Sequence, residues 1–420
     1  MPIKSLRTPL AALFASLTAL LLVAGDWPQW RGPHGTGVAS ETGVPLKWSK
    51  TENIRWRAPL DGPGNSTPIV VGPRVFVTHS PAKSTARGII CFDRNTGEVL
   101  WKHFTEYADQ ETTHQTNPYA SSSAASDGKR VVAWYGSAGL FCYDLEGHVL
   151  WQRDLGKVEH IWGYGSSPVI FENTILLNFG PGLTAYVVAL NLADGEEIWR
   201  KESPGQKAGA PNEFRGSWST PVMFQDGSRL VALLSLPDAL RAVDPKNGGE
   251  IWSCGGLGKL IYTSPLVAGD VVISMSGYGG AALAVKGGGS GDVTDTHRLW
   301  LHDMKHPQRV GSGVVVDDNV YILNDNGIAY CIDVKTGARK WDERIGSGGS
   351  WSSMAFVDGR IYIPNTAGTT LVLEANPAAC KVLAENALGE MTRGSLAFSN
   401  GQVFLRTHQA LYCIQEGAGK

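Results

Sequence analysis

The sequence predicts an all-β fold, an eight-bladed β-propeller of four-stranded antiparallel sheets in which the N- and C-terminal strands close one blade. A strand–turn–strand segment recurs along the chain and ends in tryptophan, with 41 to 53 residues between successive copies. Four strand-like segments fit each interval, as in a propeller blade. No segment carries the sustained 3.6-residue apolar stripe of a helix. The repeated tryptophans are Trp56, Trp101, Trp151, Trp199, Trp252, Trp300 and Trp341.

The clearest copy of the repeat spans residues 88–101, which read as two strands around a tight turn. The Asp93 carboxylate is expected to accept hydrogen bonds from the turn amides, and Gly97 suits a corner with positive φ. Trp101 ends the outer strand, where it can wedge between neighbouring sheets. Burying roughly 200 Å² of indole at ~25 cal/mol/Å² contributes roughly 5 kcal/mol gross. We therefore assign the repeated tryptophans to the scaffold.

The blade count follows from the two ends of the chain. Six blades end at tryptophans from Trp101 to Trp341, and residues 352–385 form a seventh with Leu383 in the tryptophan position. Residues 394–415 supply only three strands, and the strand around Trp56 lacks three preceding partners. Joining them gives an eighth blade without an open edge, and seven blades is the alternative.

Composition excludes some classes of partner. Charged residues are 18% of the chain, and the formal net charge is −2. Such a balance does not provide the basic surface that binds a phosphate backbone, so nucleic acid is not an expected partner. A monomer is expected.

The N-terminal residues 1–25 resemble a secretory signal peptide, with basic residues before an apolar run and small residues at its end. An uncleaved membrane anchor is the alternative. No cysteine follows the run, so we expect a periplasmic or extracellular protein without a lipid anchor. Residues 26–52 form a Pro/Gly/Trp-rich extension that should lie across the body. Its Trp27 and Trp30 are expected to pack there, with contact to a ligand or partner as the alternative. Residues 53–416 form a single propeller domain.

The six cysteines fall into two groups. One group occupies the same repeat position, two residues before the turn aspartate, and is expected to be small buried core residues. Cys254 and Cys380 lie outside the pattern, and their pairing is left open. The first group is Cys91, Cys142, Cys331 and Cys413.

The pattern A-x-D-x-x-T-G-x-x-x-W resembles the repeat of the pyrroloquinoline quinone (PQQ) family of propellers. Its closest copies, with Cys for the first Ala, are Cys91–Trp101 and Cys331–Trp341, and the resemblance covers roughly residues 50–416. That family includes quinone-dependent dehydrogenases and non-catalytic members, among them the propeller lipoprotein of the outer-membrane assembly machinery. The resemblance therefore implies the fold and leaves two kinds of function open.

The dehydrogenases of that family imply PQQ with Ca²⁺, an adjacent Cys-Cys disulfide and a catalytic aspartate. No two cysteines are adjacent here. We therefore predict a non-catalytic binding or scaffold protein for a partner protein, a peptide or a small molecule. The alternatives are a quinone-dependent oxidoreductase and a hydrolase or lyase at the channel mouth. No catalytic or metal-ligating residue is assigned.

Candidate binding residues lie on the connections between blades, where propellers meet ligands at the mouth of the channel. The residue before each small-residue cluster gives a ring that also includes Ala120, Gly165 and Val310. Aromatic and basic side chains there favour a planar or anionic ligand, or a peptide; the alternative is that they plug the channel. The candidates are Asn65, Tyr119, Tyr164, Arg215, Trp218, Tyr262, Arg309, Trp351 and Arg393.

The longest connection, residues 105–118, carries acidic residues and one histidine. It is expected to be a solvated loop, with a metal site as the alternative. His160 on the next connection faces the same choice. Residues 287–291 are glycine-rich but lack the Lys-Ser/Thr of a phosphate loop, and we expect a flexible turn. The side chains in the long connection are Glu106, Asp109, Glu111 and His114.

Overall fold

A computed structural model describes residues 25–109, 111–206, 214–278, 280–302 and 310–419. Within these ranges the chain forms eight blades of four antiparallel strands and a single helical turn, the 3₁₀ segment Gly136–Ala138. The predicted all-β, eight-bladed architecture is confirmed. The predicted signal peptide lies outside the described residues, apart from Gly25. No helix in the described part is long and apolar enough to cross a membrane.

Within every blade the four strands are ordered from the channel outward. The innermost strands are Ile69–Val71, Ala125–Ser126, Val169–Phe171, Val222–Asp226, Leu266–Ala268, Val314–Val316, Ala355–Val357 and Ala397–Ser399. The second strands are Arg74–His79, Arg130–Trp134, Thr174–Phe179, Arg229–Leu236, Val271–Met275, Asn319–Leu323, Arg360–Pro364 and Gln402–Arg406. The third strands are Arg87–Asp93, Leu140–Asp144, Tyr186–Asn191, Ala239–Val243, Ala282–Lys286, Ile328–Asp333, Thr369–Glu374 and Ala410–Gln415. The outermost strands are Val99–Thr105, Val149–Arg153, Glu197–Glu202, Glu250–Gly255, Arg298–His302, Arg339–Arg344, Val382–Ala387 and, in blade 8, Ile54–Pro59.

The two ends of the chain share the eighth blade, as predicted. Ile54–Pro59 pairs antiparallel with Ala410–Gln415. From the same blade, the buried guanidinium of Arg406 reaches blade 1, where it donates to Ser66 Oγ at 2.8 Å and to the Thr78 carbonyl oxygen at 2.5 Å. The N-terminal strand therefore completes the last sheet, and the ring has no unpaired blade.

The repeated tryptophans lie between blades, as the wedge model requires. Six indole Nε1–H groups donate to a backbone carbonyl of the following blade at 2.8–3.1 Å. Trp252 instead donates to Asp226 Oδ2 of its own blade at 2.9 Å. In blade 7 the register places Ala384 opposite Val372 in this position, so the predicted assignment of Leu383 is wrong by one residue, because Leu383 falls in the bulge of the outer strand. Trp48 of the N-terminal extension packs in the same apolar cluster as Leu383 and Ala384. The donor–acceptor pairs are Trp56–Arg94, Trp101–Leu145, Trp151–Leu192, Trp199–Pro245, Trp300–Val334 and Trp341–Asn376.

The turn of the repeat packs against a wedge tryptophan of the preceding blade, as the turn after Asp93 shows. Asp93 Oδ1 accepts the amides of Asn95 at 2.8 Å and Thr96 at 2.9 Å, as predicted. Gly97 has φ +75°, and a Cβ there would lie 2.6 Å from Cδ2 of Trp56. The glycine is therefore required twice, by the left-handed backbone and by the indole packed against it.

The small-residue cluster before each blade supplies one hydroxyl to a closed hydrogen-bonded ring around the channel. At each step a backbone N–H donates to the hydroxyl of the next blade, at 2.8–3.3 Å. We call these residues the hydroxyl ring. Eight blades are thereby linked through eight buried polar contacts. Its members in order are Thr67, Ser123, Ser167, Thr220, Ser264, Ser312, Ser353 and Ser395, with Ser395 donating back to Thr67.

Two short parallel pairings supplement the blades, and a third involves the N-terminal extension. Gly216–Ser217 pairs with Leu260–Ile261 between two blade connections. Gly291–Asp292 pairs with the outer strand of blade 4 beside Trp252. The glycine-rich segment was predicted to be a flexible turn, but its last residue, Gly291, belongs to this edge strand. The added strand covers Trp252, which is fully buried.

The first part of the N-terminal extension enters the channel, whereas residues 45–48 lie across blade 7, from Tyr362 on its second strand to Asn386 on its outermost strand. Trp27 pairs with Val70 on the innermost strand of blade 1. Arg31, 2% exposed, donates to the Gly313 carbonyl oxygen of blade 6 at 2.8 Å. Val38–Ala39 then runs parallel to the innermost strand of blade 7. The segment therefore fills the side of the channel opposite the blade connections, and burial lowers the pKa of Arg31 to about 9.

The cysteines are all free thiols, and five are buried. The four at the repeat position lie on third strands, and burial raises the pKa of the Cys91 thiol to about 12. Cys254 is also buried, whereas Cys380 is partly exposed. Cys254 and Cys380, whose pairing the sequence left open, therefore form no disulfide.

Candidate functional site

A cavity of about 350 Å³ opens at the mouth of the channel. Every residue two positions before a hydroxyl-ring member lines it, so all eight connections contribute. The sequence-based ring differs at one place, because Ser121 rather than the buried Ala120 faces the cavity. The eight positions are Asn65, Ser121, Gly165, Trp218, Tyr262, Val310, Trp351 and Arg393.

An aromatic cluster forms one side of the cavity. The Trp218 and Tyr262 rings lie 4.8 Å apart between centroids. Trp162 lies 6.0 Å from Trp218 and stacks on Tyr278 at 5.8 Å. Tyr278 is 55% exposed and has φ +55°, a left-handed conformation that is strained for a tyrosine. This side offers flat, polarizable surfaces to a ligand.

A cation, Arg393, lies on the other side. The Arg393 guanidinium carbon is 5.0 Å from the centroid of the Trp351 ring. Its Nε is buried and has no hydrogen-bond partner among the described residues. Burial lowers the pKa of Arg393. The arginine is thus partly desolvated and held over an indole, and no carboxylate of the described residues forms a salt bridge with it.

The floor of the cavity comes from the N-terminal extension. Trp30 lines the cavity, and the next residue, Arg31, is the one that bonds blade 6. The Arg31 guanidinium carbon also lies 5.6 Å from the centroid of the Trp30 ring. The channel is therefore closed from one side by the extension and open at the other.

Three of the predicted binding residues that the structure describes do not line the cavity. Tyr164 is buried against Trp134 at 4.8 Å between ring centroids. Tyr119 lies under the Arg87 guanidinium, 3.9 Å from ring centroid to carbon. Tyr164 directly precedes the lining residue Gly165, and successive side chains of an extended segment point in opposite directions, so Tyr164 faces away. Tyr119 lies two residues before the lining residue Ser121, so alternation does not explain its position; its ring packs under Arg87 instead. Arg215 is paired with Asp238. Arg309 lies outside the described residues.

The long acidic connection is folded over a buried ion pair. Glu111 Oε2 lies 3.0 Å from Arg87 Nη1, and both side chains are almost fully buried. Asp109 pairs on the surface with Lys157 at 2.7 Å. Within the described residues no group of three or more His, Cys, Asp or Glu could hold a metal ion. The connection serves as a wall, since His114, Thr116 and Asn117 line the cavity.

Two contributors were not found from the sequence, and a third was left open. Trp162 lies on a blade connection away from its small-residue cluster, and Tyr278 lies between the second and third strands of blade 5. For Trp30 of the extension, contact with a ligand was one of two alternatives, and it lines the cavity. The sequence does show that these aromatic residues lie outside the wedge positions of the repeat. That observation separates them from the scaffold, but it does not predict where they pack.

The residues of the mouth do not fit PQQ held by Ca²⁺. Calcium takes six to eight oxygen ligands, commonly with carboxylates among them. The cavity lining offers the amides of Asn65 and Asn117 but, among the described residues, neither aspartate nor glutamate. The cysteines lie within the blades, and no adjacent pair exists to stack on a quinone. We derive no redox step at this site.

Fold and cavity together define an eight-bladed propeller scaffold with a blind cavity at its mouth. The chain belongs to the family described as outer membrane protein assembly factor BamB, whose model matches residues 36–175 and 184–420. The resemblance in the repeat is thereby confirmed.

Similar proteins share the fold at low identity. BamB from Moraxella catarrhalis is 13% identical with a TM-score of 0.59, covering 87% of this chain and 97% of that one. Quinohemoprotein alcohol dehydrogenase from Comamonas testosteroni is 12% identical with a TM-score of 0.68, covering 94% and 81%. Tetrathionate hydrolase from Acidithiobacillus ferrooxidans is 22% identical over 373 residues, 81% of this chain. The chain spans 62% of the length of that relative.

Proposed function

We propose that this protein is an exported, non-catalytic propeller that binds a small planar organic anion at its channel mouth. The observation that carries the proposal is Arg393, a partly buried cation over Trp351 without an acceptor among the described residues. The scaffold role agrees with the family, and residues 1–25 support export. Nucleic acid is not a partner under this proposal.

The charge of the ligand follows from the arginine. A guanidinium remains protonated at neutral pH even when burial lowers its pKa. Removing such a cation from water without a counter-charge costs free energy, which an anion in the cavity would offset. A carboxylate or sulfonate matches the planar fork of donors.

The shape of the ligand follows from the walls. A volume of about 350 Å³ lies at the lower end for small-molecule sites. Trp162 and Trp218 provide flat faces opposite Arg393, and Trp30 limits the depth. A fused-ring carboxylate would place its rings on the aromatic side and its charge beside the arginine. A peptide bearing an aromatic side chain near its terminal carboxylate is the competing ligand.

The test uses 2-naphthoate and its neutral analogue 2-naphthylmethanol, measured by isothermal titration calorimetry. In wild type, the acid should bind more tightly than the alcohol. Arg393→Gln should weaken 2-naphthoate about 10- to 100-fold, since a charge-assisted hydrogen bond contributes about 1.5–3 kcal/mol. Arg215→Gln is the matched control, because Arg215 is already paired with Asp238. Equal affinity of Arg393→Gln and wild type for the acid would contradict the proposal.

A hydrolase remains the second candidate, because the relative named tetrathionate hydrolase aligns with 81% of this chain. Tetrathionate carries an anionic sulfonate group at each end, so the Arg393 cation also suits it. Incubating the protein with tetrathionate and following its loss by ion chromatography separates the two functions. Binding without loss supports the non-catalytic proposal, whereas turnover above buffer overturns it.

A further inference from the structure

The hydroxyl ring leaves one hydrogen-bond donor unused at each member. Every hydroxyl oxygen accepts a backbone N–H from the preceding blade, at 2.8–3.3 Å. A serine or threonine hydroxyl also carries a proton to donate. In the described part of the chain, none of these eight protons has an acceptor. Buried donors without acceptors are uncommon in proteins, and each one needs an explanation.

Only part of the ring faces the cavity. Four members line it, at 2–7% exposure. Two come from the adjacent blades 3 and 4 and two from the adjacent blades 7 and 8, so the pairs lie on opposite sides of the axis. The four are Ser167, Thr220, Ser353 and Ser395.

The blade 7 and blade 8 pair lies on the side of the unpaired arginine. Arg393 precedes Ser395 by two residues on one connection, and Trp351 precedes Ser353 by two on the neighbouring connection. All four line the cavity. The blade 3 and blade 4 pair instead lies beneath the aromatic side, which begins at Trp218. Two donors and the cation therefore lie together at one side, whereas the other two donors lie beneath the aromatic cluster.

We propose that Ser353, Ser395 and Arg393 form an oxyanion subsite at the base of the cavity. The carboxylate or sulfonate of a ligand accepts the two hydroxyl protons and the guanidinium N–H groups, while its rings pack toward Trp218. Each hydroxyl keeps its ring contact, because the acceptor lone pair and the donor proton are separate. This inference rests on the proposed function and identifies the chemistry of recognition.

The hydroxyl ring supplies its own control. Ser264 has the same ring contact, 2.9 Å from the Thr220 amide nitrogen, but does not line the cavity. Ser264→Ala, Ser353→Ala and Ser395→Ala each remove one ring link and should lower the melting temperature by similar amounts. Only the two cavity variants also remove a donor from the proposed subsite. Any difference in affinity therefore reports ligand contact rather than loss of the ring.

Calorimetry with 2-naphthoate, 2-naphthalenesulfonate and 2-naphthylmethanol tests the subsite. Ser353→Ala and Ser395→Ala should each weaken both anions about 10-fold or more, as expected for a charge-assisted hydrogen bond. Affinity for the alcohol should change less than about 3-fold, and Ser264→Ala should leave both anions within about 2-fold, as expected for a site outside the contact. Ser353→Thr and Ser395→Thr should bind both anions as wild type does, because threonine keeps the hydroxyl and already occupies the ring at Thr67 and Thr220.

The outcomes separate this inference from the proposed function. If Arg393→Gln weakens the anions while all three alanine variants behave alike, the subsite is wrong and the binding function stands. If the serine variants matter and Arg393→Gln does not, the ring hydroxyls bind the anion and the arginine proposal is wrong. If wild type binds neither anion, both fail. If the alanine variants unfold, Ser353→Cys and Ser395→Cys decide: a thiol keeps a weak acceptor for the ring but donates poorly, so both should still weaken the anions, and wild-type affinity would overturn the subsite.

Discussion

Removing a single hydroxyl from the ring, by Ser264→Ala, should destabilise the whole propeller. Ser264 is 2% exposed, and its Oγ accepts the Thr220 amide at 2.9 Å. The substitution leaves that buried N–H without an acceptor, which costs about 1–3 kcal/mol. With an unfolding entropy of ~2.1 cal/mol/K per residue over 420 residues, this corresponds to a melting temperature lower by roughly 1–3 °C.

Differential scanning calorimetry of wild type, Ser264→Ala and Ser264→Thr measures the effect. The threonine variant keeps the hydroxyl and should melt within about 0.5 °C of wild type, as the ring already accepts threonine at Thr67 and Thr220. A loss of stability in Ser264→Thr as large as in Ser264→Ala would show that volume, not the hydrogen bond, matters. An alanine variant as stable as wild type would refute the view that the ring stabilises blade-to-blade packing.

Two further predictions concern stability. Gly97→Ala should lower the free energy of unfolding, measured with denaturant, by about 1–3 kcal/mol more than Gly72→Ala does, because it overpacks the turn. A Cβ at Gly97 meets Trp56 at 2.6 Å, whereas Gly72, also at positive φ, has nothing within 4 Å. Equal losses of stability in the two variants would exclude the wedge contact. His160, whose pKa burial lowers to about 4, stays neutral in the fold, while in the unfolded chain it takes up a proton near pH 6.5. Wild type should therefore lose about 1–3 kcal/mol relative to His160→Phe as pH falls from 6.5 to 4, and parallel pH profiles of unfolding free energy would contradict this.

Most of the fold could be predicted from the sequence because the residues that specify it lie close together along the chain. The Asp93 carboxylate, the Gly97 corner and the Trp101 wedge lie within eleven residues of Cys91, and each follows from backbone geometry or burial. Repetition then fixed the blade count. The pairing of Ile54–Pro59 with Ala410–Gln415 was also foreseeable, since an incomplete set of strands at each end had one way to be completed.

The site was only partly readable. Register relative to the small-residue clusters identified Asn65, Trp218, Tyr262, Trp351 and Arg393 as positions around one opening. It also suggested Tyr119 and Tyr164, which do not line the cavity: Tyr164 faces away because adjacent residues of an extended chain alternate sides, and Tyr119 packs under Arg87. Their partners, Arg87 and Trp134, are distant in sequence, so no local pattern revealed those contacts.

The sequence by itself determined the repeating architecture, because indole burial, turn chemistry and strand alternation act over a few residues and recur in each blade. Tertiary structure alone decided how the N-terminal extension is used and what the serine clusters do. Trp30 becomes the floor of a cavity only when the chain enters a channel formed by residues far along the sequence. The hydroxyl ring likewise exists only when Ser395 meets Thr67, 328 residues away. Such contacts depend on ring closure, a property of all eight blades together.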